Sequence, residues 1–243
     1  MNYYKKIRKE SPIGEWYNVE FIAFFVSRRI SPFFTNIFLK RKTLPNTITV
    51  YMILSGWIGA ILFMFDSMLV KIMGYALIHL WFIMDCSDGE VARITKNKST
   101  MGRELDYLAH IVNHPMFAIA FAISMLQMPI KALDNIWIVV IFSLLIILNL
   151  VARGLMSLNL IYEIKSKVSI ISSDKLSIRK IAGYGLSFFC VFPNIATIFP
   201  VLYFVDMEFN TFFAFYYICI SVITTIIFVL RLTFLSIKKF HAA

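Results

Sequence analysis

The sequence predicts an all-α integral membrane protein: six transmembrane helices preceded by an N-terminal amphipathic interfacial helix. Three observations lead there. Hydrophobic residues make up 59% of the 243-residue chain and charged residues only 16%, with a mean hydropathy of +0.75. That is the profile of a chain embedded in lipid. Six apolar runs are long enough to cross the hydrocarbon core. Finally, every Lys and Arg except Lys71 and Lys131 falls on one side of the resulting weave, and such an asymmetry sets orientation. The net charge of +10 is accordingly a topology signal, and no nucleic-acid partner is expected.

The elements follow in order. Residues 1–43 form a cytoplasmic, interfacial arm. Its opening, MNYYKKIRKESPIGEW, has positive charges but no apolar run directly after them, so it does not read as a cleavable signal peptide. The pieces Phe21–Ser27 and Ile30–Leu39 are too short to span and are split by Arg28 and Arg29. They read as one or two helices lying in the interface with basic residues toward lipid headgroups. A membrane domain occupies residues 44–236, and 237–243 form a short tail.

The expected spans are Thr47–Phe65, Ser67–Met84, Tyr107–Ile130, Asn135–Ala152, Ile181–Val205 and Phe209–Leu230. Asn46 or Thr47 suits the N-cap of the first. Lys71 is expected to snorkel at the start of the second. Pro193 and Pro200 are expected to kink the fifth. A long polar loop, Ser157–Lys180, joins spans four and five. Cys86, Cys190 and Cys219 show no pairing or metal-ligand spacing and read as core fillers. No internal repeat suggests a transporter architecture.

The charge asymmetry places both termini, and the polar stretch after span two, in the cytoplasm. That stretch, Asp85 to His110, reads DCSDGEVARITKNKSTMGRELDYLAH. Positions 85, 88, 89 and 92 share one helical stripe, and 102, 106 and 110 share another. Two helices joined by a short polar turn, Lys96–Thr100, can therefore aim Asp85, Asp88 and Asp106 at one another. Carboxylates at a membrane edge are costly. One alone would be read as a salt bridge to Arg93 or Arg103. Three converging carboxylates call for a cation, and all-oxygen ligands suit Mg²⁺ or Mn²⁺. Gly89 and Ala92 lack bulk, so a ligand can lie against that face. Arg93 can pair with a phosphate or snorkel to the interface.

The order Asp, two residues, Asp-Gly, two residues, Ala-Arg, eight residues, Gly, three residues, Asp resembles the signature of the CDP-alcohol phosphotransferase (phosphatidyltransferase) family. Seven of its eight defined positions match, and His110 stands where the family has a final Asp. The resemblance implies an inner-membrane homodimer with six helices per subunit. It implies a metal-dependent transfer in which an acceptor hydroxyl attacks the phosphorus on the alcohol side of a CDP-linked donor and CMP leaves. The donor it favours is CDP-diacylglycerol, in phospholipid biosynthesis. The alternatives are a soluble CDP-alcohol passed to a lipid or lipid-linked glycan, or an inactive member serving as a scaffold. Carried over by position, Asp85, Asp88, Asp106 and His110 are metal ligands, and Asp106 and His110 are catalytic. Asn46, Thr49, Asp85, Gly89, Ala92, Arg93 and Gly102 bind nucleotide. Arg153, Arg179 and Lys180 are acceptor-binding candidates, or plain basic flanks. His110 can act as base or as ligand, or can mark lost turnover. His114, one turn on, reads as filling beside Pro115.

Overall fold

The computed structural model describes residues 3–12, 22–97, 100–128, 134–166 and 188–242. Among these residues the chain is helical, with no strand. The elements are α1 (Tyr3–Glu10), a π-helical turn (Ala23–Ser27) leading into α2 (Arg28–Lys40), α3 (Pro45–Phe63), α4 (Met68–Ile94), α5 (Thr100–Leu126), α6 (Asn135–Ser166), α7 (Phe192–Phe209) and α8 (Phe213–Ala242). Five segments are long and apolar enough to cross a membrane: Pro45–Phe63, Met68–Ile94, Met101–Leu126, Asn135–Leu158 and Phe213–Ile237. The expected fifth span differs. Its described part, residues 188–205, feeds into α7, only 18 residues long and diluted by Pro193, Asn194, Asp206 and Glu208. Residues 181–187 lie outside the described residues.

Several boundaries moved for identifiable reasons. The N-cap of α3 is Leu44, in extended conformation with Pro45 at the first helical position. Proline lacks the N–H that a first-turn residue leaves unused, so it opens a helix readily. Asn46 and Thr47 are therefore inside α3. Pro193 does the same for α7, whose N-cap Val191 is extended; it starts the helix rather than kinking it, whereas Pro200 is internal. Helix α6 runs to Ser166, so the loop expected from Ser157 begins later. Phe209 ends α7, and Asn210 terminates it in the left-handed region (φ 54°). Asp206 then accepts hydrogen bonds from the backbone N–H groups of Phe213 (2.8 Å) and Ala214 (2.7 Å). It thereby caps α8.

Lys71 does not snorkel. It is 2% exposed. Its ammonium donates to Phe63 O (3.0 Å), Ser124 Oγ (2.9 Å) and Gln127 Oε1 (2.8 Å). It also lies 5.3 Å and 5.2 Å from the ring centroids of Phe63 and Tyr203. Three acceptors and two aromatic faces replace the water it would otherwise seek.

Helix α3 packs most extensively on α4. The contact is close because Gly59 and Gly74 face each other. A Cβ on Gly74 would sit 2.6 Å from Phe63 N and 2.7 Å from Gly59 O. Small residues let membrane helices approach at backbone distance, and this seam brings Thr49 of α3 alongside Asp88 of α4. Helix α5 packs on α3 and on α6. The aromatic core beneath the polar end includes Trp81, Phe117, Phe121, Phe199 and Tyr203, all buried. Outer faces present Trp57, Ile58 and Ile61 on α3 and Ile220, Ile223 and Ile227 on α8, as lipid contact requires.

The arm is helical, as expected, and the π-helical turn and α2 show Phe25, Ile30 and Phe33 to the surroundings. Its opposite side is less expected: Ser27, Ser31 and Thr35 are fully buried. Ser31 and Thr35 meet Glu90 of α4, itself 1% exposed. Ser31 Oγ donates to Glu90 Oε1 (2.7 Å), Thr35 Oγ1 to Glu90 Oε2 (2.6 Å), and Arg8 of α1 pairs with Oε1 at 2.9 Å. Glu90 is thus the peg on which α1 and α2 hang.

Candidate active site

Asp85 is the eighteenth residue of α4, about 26 Å along its axis. That is close to the thickness of the hydrocarbon core, so the last turns of α4 project beyond it. Helix α5 returns from the same side, and its first turns oppose the last turns of α4. Between the two helices and the start of α3 lies an open cavity of about 620 Å³. Pro45, Asn46, Thr49, Asp85, Asp88, Gly89, Ala92, Arg93, Gly102 and Asp106 line it, together with Asn97 and Arg103. Every residue expected to bind nucleotide is on this wall. The volume is in the range of small-molecule sites.

The carboxylates are not equivalent. Asp88 is 9% exposed and receives the Thr49 hydroxyl at 2.7 Å on Oδ2. Asp85 and Asp106 lie nearer His110: the imidazole Nε2 is 3.3 Å from Asp85 Oδ1 and 3.6 Å from Asp106 Oδ1. One ligand atom from each of Asp85, Asp106 and His110 falls within 4.8 Å of the others. Two carboxylate oxygens and one imidazole nitrogen converging in this way suit a divalent cation, Mn²⁺ in particular, since imidazole favours transition metals. The donor set therefore fits the metal that the spacing implied, with one nitrogen replacing an oxygen.

His110 is not on the wall of the large cavity. It sits behind Asp85 and Asp106, 7% exposed. Its Nδ1 is 3.1 Å from His114 Nε2, and Trp81 packs edge-on against both rings. The His114 ring is stacked on Phe192, centroids 4.4 Å apart. His114 is therefore a hydrogen-bond partner of His110 and more than filling. The i, i+4 spacing was visible in the sequence; the packing of Phe192 that fixes the ring was not. Arg153 borders a void of about 10 Å³ with His110, His114 and Asn149, room for about one water molecule. Arg153 thus lines the same small void as His110. Arg179 and Lys180 lie outside the described residues.

No ion pair between Arg93 and Asp85, Asp88 or Asp106 occurs among the described residues. Arg93 instead directs Nε (3.1 Å) and Nη2 (2.8 Å) to Ser11 Oγ. Its Nη1 runs along Gly89, 3.2 Å from where a Cβ there would be. Sequence reasoning passed over Glu90, Ser11 and Arg8. Glu90 reads as a surface charge until Ser31, Thr35 and Arg8 are folded onto it.

The Thr49–Asp88 bond predicts a measurable effect. Thr49→Ala removes the hydroxyl that orients this cavity carboxylate, so turnover falls about 10-fold to 100-fold, the scale seen when the hydrogen-bond partner of a site carboxylate is lost. Thr49→Ser retains most of it. Steady-state rates of the two variants, with their melting temperatures as folding controls, check this.

A carboxylate-lined cavity where membrane helices emerge into water defines a multi-pass membrane enzyme acting on a charged group at the lipid surface. The chain matches the CDP-alcohol phosphatidyltransferase family over residues 42–234, and it belongs to that family. It is a transferase that moves a phosphatidyl or phospho-alcohol group from a CDP-alcohol to a hydroxyl acceptor in a membrane. The family is generally dependent on divalent metal, and the Asp85–Asp106–His110 group is a candidate site for it. No curated protein matches the chain.

Proposed function

We propose that the donor is CDP-diacylglycerol and that the chain makes a phospholipid on the cytoplasmic side of the inner membrane, as a homodimer with Mg²⁺ or Mn²⁺. The observation that carries this reading is the cavity: motif side chains of α3, α4 and α5 gather at the depth of the lipid headgroups. Leu44, Met101 and Leu108, all at least half exposed, flank the same helix ends, where the acyl chains of a lipid-anchored donor enter. The excess of basic residues around this end of the bundle supports its cytoplasmic placement.

In this reading the nucleotide lies along Asn46, Gly89, Ala92 and Gly102, and Arg93 meets the diphosphate. A divalent cation bound by the acidic group neutralises phosphate oxygens and steadies the leaving CMP. Asp85 and Asp106 supply oxygens to that site and His110 a nitrogen, its ring held by His114. Asp106, with 46% of its side chain exposed against 21% for Asp85, is the carboxylate that an entering acceptor hydroxyl reaches first, and it takes the hydroxyl proton. The acceptor oxygen bonds to the phosphorus on the alcohol side, and the bond from that phosphorus to the bridging oxygen breaks. CMP departs with the electron pair. Arg153, and beyond the described residues Arg179 and Lys180, are the basic groups offered to an anionic acceptor.

The test is CMP release by purified protein with Mg²⁺ or Mn²⁺. CDP-diacylglycerol plus a panel of hydroxyl acceptors is set against CDP-choline, CDP-ethanolamine and CDP-glycerol plus lipid acceptors, with Asp88→Asn as control. Release from CDP-diacylglycerol, absent in Asp88→Asn, is the expected result. Release only from a soluble CDP-alcohol overturns the donor assignment. CDP binding without release from any pair means that the acceptor is missing from the panel; neither release nor CDP binding favours a scaffold.

A further inference from the structure

The N-terminal arm reaches the wall of this cavity. Ser11, immediately after α1, is 4% exposed and accepts two hydrogen bonds from the Arg93 guanidinium, at 3.1 Å and 2.8 Å. Its own position is set twice over. Its backbone N–H donates to Ile7 O (2.8 Å), and Arg8 Nη1 donates to its carbonyl (3.1 Å). The same Arg8 nitrogen is paired with buried Glu90, one helical turn from Arg93 on α4. Arg8, Ser11, Glu90 and Arg93 thus form one connected network, and its open end is the guanidinium edge lying along Gly89. Residues 8 and 11 lie outside the stretch matched to the family, 42–234. The arm thus brings to that wall residues that the matched stretch does not include.

We infer that Ser11 is a positioning residue for the donor: it holds the Arg93 guanidinium against Gly89, aimed at the diphosphate of the CDP-alcohol, so that α1 completes the donor site. An arginine side chain left to itself samples many rotamers, and fixing it beforehand removes that cost from binding. Two nitrogens committed to Ser11 leave Nη1 for the phosphate, with a geometry that a lysine could not reproduce. Glu90 contributes by neutralising Arg8, so that the arm does not repel Arg93. The inference rests on the proposed role of Arg93 at the donor.

The experiment uses the full-length protein in detergent, with two readouts: calorimetric affinity for CDP in the presence of Mn²⁺, and KM and kcat with CDP-diacylglycerol. Ser11→Ala weakens CDP binding and raises donor KM about 10-fold, the scale of a lost charge-assisted hydrogen bond, with kcat within twofold and the melting temperature unchanged. Ser11→Thr restores both. Arg93→Ala weakens CDP at least as much, and adding Ser11→Ala to it changes nothing further. Unchanged CDP affinity in a folded Ser11→Ala protein, or additive losses in the double variant, overturns the inference. If Arg93→Ala weakens CDP and Ser11→Ala does not, the donor site stands and only the role of the arm falls. If CDP-diacylglycerol is not turned over while CDP affinity responds as described, the arm stands and the donor assignment falls. A wild-type protein that fails to bind CDP removes both.

Discussion

Asp85→Asn lowers metal-dependent CMP release on the order of 10³-fold, the scale of losing a main electrostatic stabiliser of a phosphoryl-transfer transition state. Asp85 is chosen because it shares the ligand cluster with Asp106 and His110 and also lines the donor cavity. The amide keeps the shape and removes the charge. Its second consequence is opposite in sign. Without metal, Asp85, Asp88 and Asp106 repel one another at the edge of a low-dielectric region. Deleting one charge relieves that repulsion, so metal-free Asp85→Asn melts at the same temperature as the wild type or higher, an exchange of activity for stability found at many active sites. Rates and melting curves with and without Mn²⁺ test the two together. Turnover within tenfold of wild type would move the metal site elsewhere.

His110→Ala lowers turnover about 100-fold, and His110→Asp recovers most of it. The substitution to Asp restores the oxygen donor of the family pattern in place of an imidazole whose Nε2 lies 3.3 Å and 3.6 Å from the other two ligand residues. It also changes metal choice: with a nitrogen donor the site favours Mn²⁺ over Mg²⁺, and with a third carboxylate the preference shifts toward Mg²⁺. Calorimetric titration with each metal separates the possible roles. If His110 is a ligand, His110→Ala weakens Mn²⁺ binding. If it is only the base, Mn²⁺ affinity is kept and kcat alone falls. Full activity in His110→Ala would exclude both.

The spacing of Asp85, Asp88, Gly89, Arg93, Gly102 and Asp106 made the helix pair, its polar turn and the cavity wall legible, because those relations are local and the α-helix has a fixed period. Pro45 at the first position of α3 was equally readable and was passed over in favour of a polar cap. What could not be read depends on distant partners. Lys71 is buried because Ser124 and Gln127 lie beside it, 53 and 56 residues on. Glu90 is buried because Ser31, Thr35 and Arg8 converge on it, and His114 is fixed by Phe192. In each case a residue that looks like a solvated charge or a space-filler gains its place from a helix elsewhere in the chain.

The attachment of the arm to Glu90 also dictates an order of assembly. Arg8 leaves the ribosome 82 residues before its partner. Until α4 has entered the bilayer, the arm has nothing to dock on, and Arg93 has no Ser11 beside it. The segment synthesised first is thus seated only after α2, α3 and α4 have followed it. A nascent chain carrying only α1 to α3 therefore has no donor site to occupy, and nucleotide capture waits until both α4 and α5 have been delivered.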